Sequence, residues 1–186
     1  NCLEMNAKED NTLLVLGQSE DFTEGWIGCS VYQEIENKII DAAPPPVNLE
    51  KEKKIIDILL QLHTKNLLTA AHDISDGGLL TAICEMLFKN NLGLNLNLPK
   101  SFLKIDSKDP ILHSWCFVEH QGRIIVATNK IDQVKFCLED SNLDYFVLGK
   151  TNASNNLNLM DINTISIKGL KNSYETTLPF IMGKHK

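Results

Sequence analysis

The chain has 186 residues, 43% hydrophobic and 23% charged, a composition typical of a folded globular protein and not of a disordered one. Its formal net charge of -6 argues against a general nucleic-acid-binding protein, because no surplus of Lys and Arg is available to neutralise phosphates. No apolar run reaches the roughly eighteen residues that a membrane-spanning helix needs, so none is predicted.

The first predicted element is a buried strand at residues 12–17, "TLLVLG", an apolar run closed by glycine. Residues 18–35 are polar and contain Gly25 and Gly28, which predicts a loop that leads into a short helix. Prolines 44–46 fix φ and disfavour helix in each preceding residue, so we predict an extended connector there.

The next predicted elements are a helix, a strand and a second helix. Asn48 has the character of an N-cap, with Glu50 and Glu52 well placed in the first turn, and the helix is predicted to end near Asn66. Residues 67–74 predict a strand. Apolar residues then recur at helical spacing, which predicts a helix at residues 78–90.

The second half of the chain predicts more strands than helices. Leucines 94, 96 and 98 alternate with asparagines, which indicates a half-buried strand. Further strands are predicted at residues 122–128 and 145–149, with a helix between them marked by apolar residues from 131 to 138. The Asn-rich residues 152–158 predict a turn.

The C-terminal part is predicted as a last strand at residues 162–167 followed by a tail. Helices and strands are mixed without strict alternation, so we predict a single α+β domain over residues 1–186, a mixed β-sheet flanked by α-helices. Residues 150–186 are its predicted C-terminal strand and tail.

Five scattered cysteines include no Cys-x-x-Cys pair, and the histidines lack metal-ligand spacing. This pattern favours reduced, mostly buried thiols in a cytoplasmic protein over a disulfide framework or a zinc site. The sequence opens at Asn1 with neither an initiator Met nor a signal-peptide segment, and we expect it to be part of a longer polypeptide.

The most informative stretch is "HDISDGGL", residues 72–79, between a predicted strand and a predicted helix. A helix start offers unpaired N–H groups and a positive dipole end, and glycine lets a phosphate approach the backbone. Asp73 and Asp76 would repel a bare phosphate, a conflict that a Mg²⁺ between carboxylate and phosphate removes. Ser75 would then donate its hydroxyl to a phosphate oxygen.

A purely structural turn explains the same residues. Asp and Ser are favoured N-caps, Gly-Gly commonly opens a turn, and the motif matches neither the P-loop nor the dinucleotide fingerprint. We expect Asp76 to be the helix cap, and His72 to pack or hydrogen-bond rather than act as a base. Spacing alone leaves both interpretations open.

Residues 70–87, "AAHDISDGGLLTAICEML", closely resemble a segment of the phosphoribosylformylglycinamidine synthase (formylglycinamidine ribonucleotide amidotransferase) family of purine biosynthesis. Other stretches resemble the family in the same order, namely "LLVLGQSEDFTEGWIGCSVYQEI", "APPPVNLEKEKKIIDILLQL", "FVEHQGRIIVAT" and "YFVLGK". The resemblance extends from about residue 12 to about residue 158.

The resemblance implies the synthetase subunit, in which two copies of the aminoimidazole ribonucleotide synthetase fold are fused, and this chain resembles the C-terminal domain of the second copy. It implies an ATP-dependent carbon–nitrogen ligase in which phosphoryl transfer activates the substrate amide oxygen and ammonia from glutamine displaces it. The implied ligands are Mg²⁺ and ATP or ADP. The implied partners are the upstream domains and a glutaminase, which is a domain in the large single-chain form of the family. In the small form the glutaminase is a separate subunit, and a small accessory subunit joins it.

The matching turn in the large form of the family implies that Asp73 coordinates Mg²⁺ and that Ser75 contacts a nucleotide at an auxiliary site. Gly77 and Gly78 are expected to bind the same nucleotide. The family's catalytic His and main ATP residues lie in upstream domains, so no catalytic residue is expected here and this portion alone is expected to be inactive.

The chain departs from the family pattern at Cys29, where a glycine is frequent, and at His120, where a serine is common. Glu119 and Arg123 form either a structural pair or ligand contacts. Two alternatives remain: a structural, subunit-contact domain, or another member of the superfamily such as aminoimidazole ribonucleotide synthetase, selenophosphate synthetase or thiamine-phosphate kinase.

Overall fold

The computed structural model describes residues 2–18, 27–38, 42–102, 109–159 and 163–183. Their strands are β1 (Thr12–Leu16), β2 (Ala70–Asp73), β3 (Gly93–Asn95), β4 (Ile124–Thr128), β5 (Tyr145–Asn152), β6 (Asn156–Leu159) and β7 (Asn163–Ser166). Their α-helices are α1 (Val31–Asn37), α2 (Leu49–Thr64), α3 (Gly78–Phe88), α4 (Pro110–Phe117), α5 (Ile131–Ser141) and α6 (Ile167–Ile181). A 3₁₀ turn covers Lys100–Phe102.

The strands form one mixed sheet in the order β2-β4-β1-β5-β3-β6-β7. Neighbouring strands are antiparallel except β3 and β6, which run parallel. The predicted α+β class, a mixed sheet flanked by helices, is confirmed.

The core lies on both faces of this sheet. Successive strand residues point to opposite faces, so Leu13 and Val15 of β1 belong to one apolar cluster and Leu14 and Leu16 to another. Helices α3 and α4 and the start of α6 contribute to the first cluster, while α2 and α5 contribute to the second. The sheet is thus sandwiched between two helical layers. Within the described ranges, no helix is long and apolar enough to cross a membrane.

The predicted start of α2 is confirmed. The Asn48 side chain accepts a hydrogen bond from the Lys51 N–H at 3.0 Å, and Glu50 and Glu52 lie in the first turn. Acidic side chains there interact favourably with the helix dipole. The short helix predicted after the polar loop is also present as α1, although residues 19–26 of that loop lie outside the described ranges.

Two predicted strands are shorter by about half than the sequence pattern indicates. The strand predicted at residues 67–74 is only β2, and the strand predicted around residue 96 ends at Asn95. The burial of Leu96 and Leu98 nevertheless continues the alternation that produced the second prediction. The periodicity therefore identified which side chains face the core and overestimated how far strand pairing extends.

The turn predicted at residues 152–158 is partly wrong, because β6 occupies its second half. Leu157 is buried in the core while Asn158 donates its side-chain amide to the Asn95 side chain across the parallel pair, at 2.7 Å. Asparagine is depleted in strands, and here pairing with β3 and β7 overrides that preference.

The prediction for the C-terminal part of the chain differs most from the structure. The last strand is β7, residue 162 lies outside the described ranges, and Ile167 begins α6 where a strand end and a tail were predicted. The Ser166 side chain caps this helix by accepting from the Gly169 N–H at 3.2 Å. Helix α4 was not predicted either, although Asp109 at its N-cap and Pro110 in its first turn are a recognisable start signal.

Candidate functional site

The "HDISDGGL" stretch joins the end of β2, at one margin of the sheet, to the start of α3. Strand pairing ends at Asp73, opposite Ile124 of β4. The Ile74 N–H then donates to the Arg123 carbonyl at 3.2 Å, and the Gly78 N–H donates to the Ser75 carbonyl at 3.0 Å. These bonds fold residues 74–78 into a tight turn.

Both glycines of the turn are required by its geometry. Gly77 and Gly78 have φ values of +81° and +72°, in the left-handed region that favours glycine. A Cβ at Gly78 would lie 2.7 Å from the Phe117 Cα, and one at Gly77 would lie 2.6 Å from the Thr81 hydroxyl. The turn therefore packs its backbone directly on the end of α4.

The cap of α3 comes from a distant residue, and the prediction that Asp76 caps this helix is wrong. The N-cap residue is Gly77, which has no side chain to accept a bond, and Asp76 is exposed. Instead, the Gly77 N–H donates to the Glu119 carboxylate at 2.8 Å. The same oxygen accepts from the Val31 N–H at 2.9 Å, so Glu119 holds the starts of α3 and α1 together.

The N–H groups of Gly77 and Gly78 are therefore both hydrogen-bonded inside the domain, to Glu119 and Ser75. Their assignment to a bound nucleotide stays a prediction.

Arg123 is 2% exposed and stabilises the turn from inside the domain. Its guanidinium donates to the Gln18 side chain at 2.8 Å, to the Val118 carbonyl and to the His120 carbonyl. These bonds tie the segment after α4 to the end of β1. Arg123 and Glu119 thus both make structural contacts inside the domain.

Asp73 and Ser75 lie on the wall of one pocket of about 230 Å³. Helix α2 lines it with Glu52, Ile55 and Ile56, and residues 121–124 close its other side. The Asp73 side chain is 73% exposed, and Ser75 is exposed as well. The two side chains predicted to meet a ligand thus share an open concavity on the surface.

His72 has the hydrogen-bonding role that was predicted for it. Its Nδ1 lies 3.2 Å from Asp73 Oδ1, and its Nε2 lies 2.9 Å from Glu85 Oε2 on α3. Glu85 is a contact that sequence reasoning missed, because thirteen residues and a turn separate it from His72. Only the packing of α3 beside β2 brings them together.

The donors at this pocket fit part of a magnesium site. Within the residues that the structure describes, no group of three or more His, Cys, Asp or Glu side chains is arranged to hold a metal ion. Mg²⁺ usually takes one or two protein carboxylates and completes its shell with phosphate oxygens and water. An exposed carboxylate at Asp73 and a hydroxyl at Ser75 match that pattern.

The cysteines play no part in this pocket. All five are free thiols. Burial raises the pKa of Cys84 and of Cys116 to about 12, so both stay protonated and packed in the core at neutral pH. Cys29, one of the departures from the family pattern, is exposed and contacts the Ala42 carbonyl.

Comparison with protein families finds that the C-terminal domain of AIR synthase related protein matches residues 8–162. The phosphoribosylformylglycinamidine synthase subunit PurL of Rhodopseudomonas palustris strain TIE-1 is 34% identical over 178 residues, 94% of this chain. The corresponding subunit of Rhodococcus opacus strain B4 is 30% identical over 175 residues. The chain spans 22% and 21% of the length of these two relatives.

Among solved structures, Thermotoga maritima PurL complexed with FGAR matches with a TM-score of 0.68 at 19% identity, over 91% of this chain and 29% of that one. Thiamine-monophosphate kinase from Stenotrophomonas maltophilia K279a matches with a TM-score of 0.51 at 13% identity, over 84% of this chain and 52% of that one. At these identities the likeness shows a shared fold.

Proposed function

The chain belongs to the C-terminal domain family of AIR synthase related proteins, and from that premise we propose that it is the C-terminal domain of a phosphoribosylformylglycinamidine synthase. The observation that carries the proposal is the alignment of a synthase subunit with 94% of this chain at 34% identity. We assign residues 1–186 to a single domain, in the second aminoimidazole ribonucleotide synthetase-like half of that enzyme.

The proposed activity of the whole enzyme is an ATP-dependent ligation. It converts formylglycinamide ribonucleotide and glutamine-derived ammonia to the amidine in de novo purine biosynthesis. Thermotoga maritima PurL has been solved in complexes with FGAR and with ATP, which supports this choice of substrates. Because the chain is about a fifth of its relatives' length, we assign the catalytic residues to other domains and expect this domain alone to be inactive.

We assign to this domain a share of an auxiliary Mg-nucleotide site. Asp73 is the proposed Mg²⁺ ligand, and Ser75 the proposed donor to a phosphate oxygen. Both side chains are exposed on the same pocket wall, which supports the assignment. A bound Mg²⁺ would neutralise the repulsion between the carboxylate and the phosphate.

The proposed partners are the upstream domains of the same polypeptide, a glutaminase domain or subunit, and a small accessory subunit. The exposure of Asp73 and Ser75 on this pocket supports a neighbouring domain that covers it. We place the enzyme in the cytoplasm, since five free thiols suit a reducing compartment.

The experiment is to compare Asp73→Asn with Asp76→Asn in the full-length synthetase. Both substitutions remove one exposed negative charge from the same turn, and only Asp73 is a proposed ligand. After gel filtration in Mg²⁺, we expect Asp73→Asn to retain ADP more weakly than wild type by a factor well above about ten, the lower end of the loss typical of residues that only support a metal ligand, while Asp76→Asn matches wild type. Unchanged ADP retention in Asp73→Asn would contradict the assignment of Asp73 as a metal ligand. Equal losses in both variants would also contradict it, because they would show that only the net charge of the turn matters.

A second candidate is a structural domain that carries no ligand. The internal use of the Gly77 and Gly78 N–H groups favours it, because a helix start with free donors would suit a phosphate better. On that view Ser75→Ala and Asp73→Asn leave nucleotide retention unchanged. The two candidates therefore differ in the experiment above.

A further inference from the structure

The contacts of His72 point to a way in which the Asp73 carboxylate is held in position. We propose that His72 and Glu85 are positioning residues for Asp73, an inference that rests on the proposed role of Asp73 as a metal ligand. His72 fixes the carboxylate through Oδ1, and Glu85 fixes the His72 ring from its other side. Oδ2 of Asp73 would then be the oxygen that holds the metal, since the contact of His72 is with Oδ1.

The two supports are far less exposed than the residue that they hold. The side chain of His72 is 12% exposed and that of Glu85 is 24% exposed, against 73% for Asp73. An aspartate with so much exposure would otherwise sample several rotamers at the end of a strand. The contact with His72 selects one of them before any ligand arrives.

The elements that carry the supports are rigid. His72 is paired with Ile125 in the sheet, and α3 is anchored beside Glu85 by Ile83 and Met86, which are fully buried. Glu85 therefore presents its carboxylate from a fixed helix face. Through these contacts, Glu85 and His72 fix the position of Asp73 on the pocket wall relative to α3.

This arrangement has a measurable consequence for metal binding. Groups that hydrogen-bond to a ligating side chain reduce the ordering cost of metal binding, and losing one typically weakens metal affinity by about 10- to 100-fold. Substitutions at His72 or Glu85 should then raise the Mg²⁺ concentration needed for nucleotide retention, although neither residue touches the metal.

The test uses two amide substitutions of His72, each of which keeps one of the two contacts made by the imidazole. In Asn the side-chain nitrogen lies near the position of Nδ1, and in Gln it lies near that of Nε2. His72→Asn therefore keeps a donor for Asp73, whereas His72→Gln keeps a donor for Glu85 alone. Glu85→Ala removes the outer support, and Glu175→Ala, on the exposed face of α6, is the matched control.

We expect the half-saturating Mg²⁺ concentration for ADP retention in the full-length synthetase to rise about tenfold or more in His72→Gln. A smaller rise is expected in His72→Asn and Glu85→Ala, and none in Glu175→Ala. Wild-type Mg²⁺ dependence in His72→Gln, or equal shifts in His72→Gln and His72→Asn, would overturn the inference.

Asp73→Asn, measured alongside, distinguishes failure of the positioning role from failure of the proposed metal site. A shift in Asp73→Asn without one in His72→Gln or Glu85→Ala overturns the positioning role and leaves the metal ligand in place. Wild-type behaviour of Asp73→Asn overturns the proposed site itself. Thermal unfolding of each variant identifies loss of the fold, and if His72→Gln unfolds, unchanged Mg²⁺ dependence in Glu85→Ala overturns the inference by itself.

Discussion

At the scale of single residues, Gly78 has a position that only glycine fits well. Its backbone is left-handed, and its Cα faces the backbone of Phe117, which cannot give way as a flexible side chain would. We expect Gly78→Ala to lower the free energy of unfolding by about 1–3 kcal/mol or more, since strain and a backbone clash add. Urea denaturation measures this directly.

Gly169→Ala provides the control for that prediction. Gly169 lies in the first turn of α6, where an added Cβ would meet only Ser166 atoms at 3.6 Å. Alanine favours helix over glycine by about 1 kcal/mol, so this variant should be neutral or slightly stabilised. A loss at Gly169 as large as that at Gly78 would show that the turn geometry is not the cause.

The role of a residue could be predicted from sequence where that role depends on its neighbours along the chain. Asp73, Ser75 and the two glycines are conspicuous because two aspartates, a serine and two glycines lie within six consecutive positions. The Asn48 cap follows from its place before an apolar repeat. Glu119, Gln18 and Glu85 could not be found in this way. Each acts across the fold on a residue distant in sequence, and no local pattern encodes those contacts.

At the scale of elements, the starts of α1 and α3 depend on one shared carboxylate. Glu119 accepts from an N–H at each helix start, and bonds from backbone N–H groups to a charged acceptor contribute about 1.5–3 kcal/mol each when formed in a folded protein. We expect Glu119→Ala to destabilise the domain by about 2 kcal/mol or more. Faster hydrogen exchange is expected at the Val31 and Gly77 amides.

The amide variant tests whether charge matters at this position. Glu119→Gln keeps an acceptor oxygen and loses its attraction to two helix dipoles, so an intermediate loss is expected. Glu175→Ala, on the exposed face of α6, should change stability by no more than about 0.5 kcal/mol. Full stability in Glu119→Ala would contradict the shared-cap interpretation.

Helices and strands with strong apolar periodicity or a local cap could be predicted from the sequence. A strand that forms only because it pairs with neighbouring strands could not. β1 and α2 combine an apolar pattern with clear boundaries. β6 is built from alternating Asn and Leu and becomes a strand because β3 and β7 flank it. For α6, the apolar residues Ile167, Leu170 and Tyr174 have helical spacing, but the β-branched residues before them mimic a strand.

At the scale of the whole molecule, the sheet brings the end of β2, the middle of α2 and the segment before β4 to one pocket. The chain supplies exposed oxygen donors there without a complete set of metal ligands in its described ranges. A domain that is about a fifth of its relatives' length can contribute such a half-site to a larger enzyme. We therefore propose that this domain helps to hold a nucleotide and that the catalytic residues lie in other domains.

The most direct measurement is anomalous scattering from Mn²⁺ in crystals of the full-length synthetase grown with ADP. Mn²⁺ replaces Mg²⁺ at oxygen sites and can be located without assumptions about the ligand. We expect an anomalous peak from a manganese ion coordinated by the Asp73 carboxylate, with a nucleotide phosphate oxygen beside the Ser75 hydroxyl. Bound ADP and manganese elsewhere, with Asp73 and Ser75 facing solvent, would contradict it.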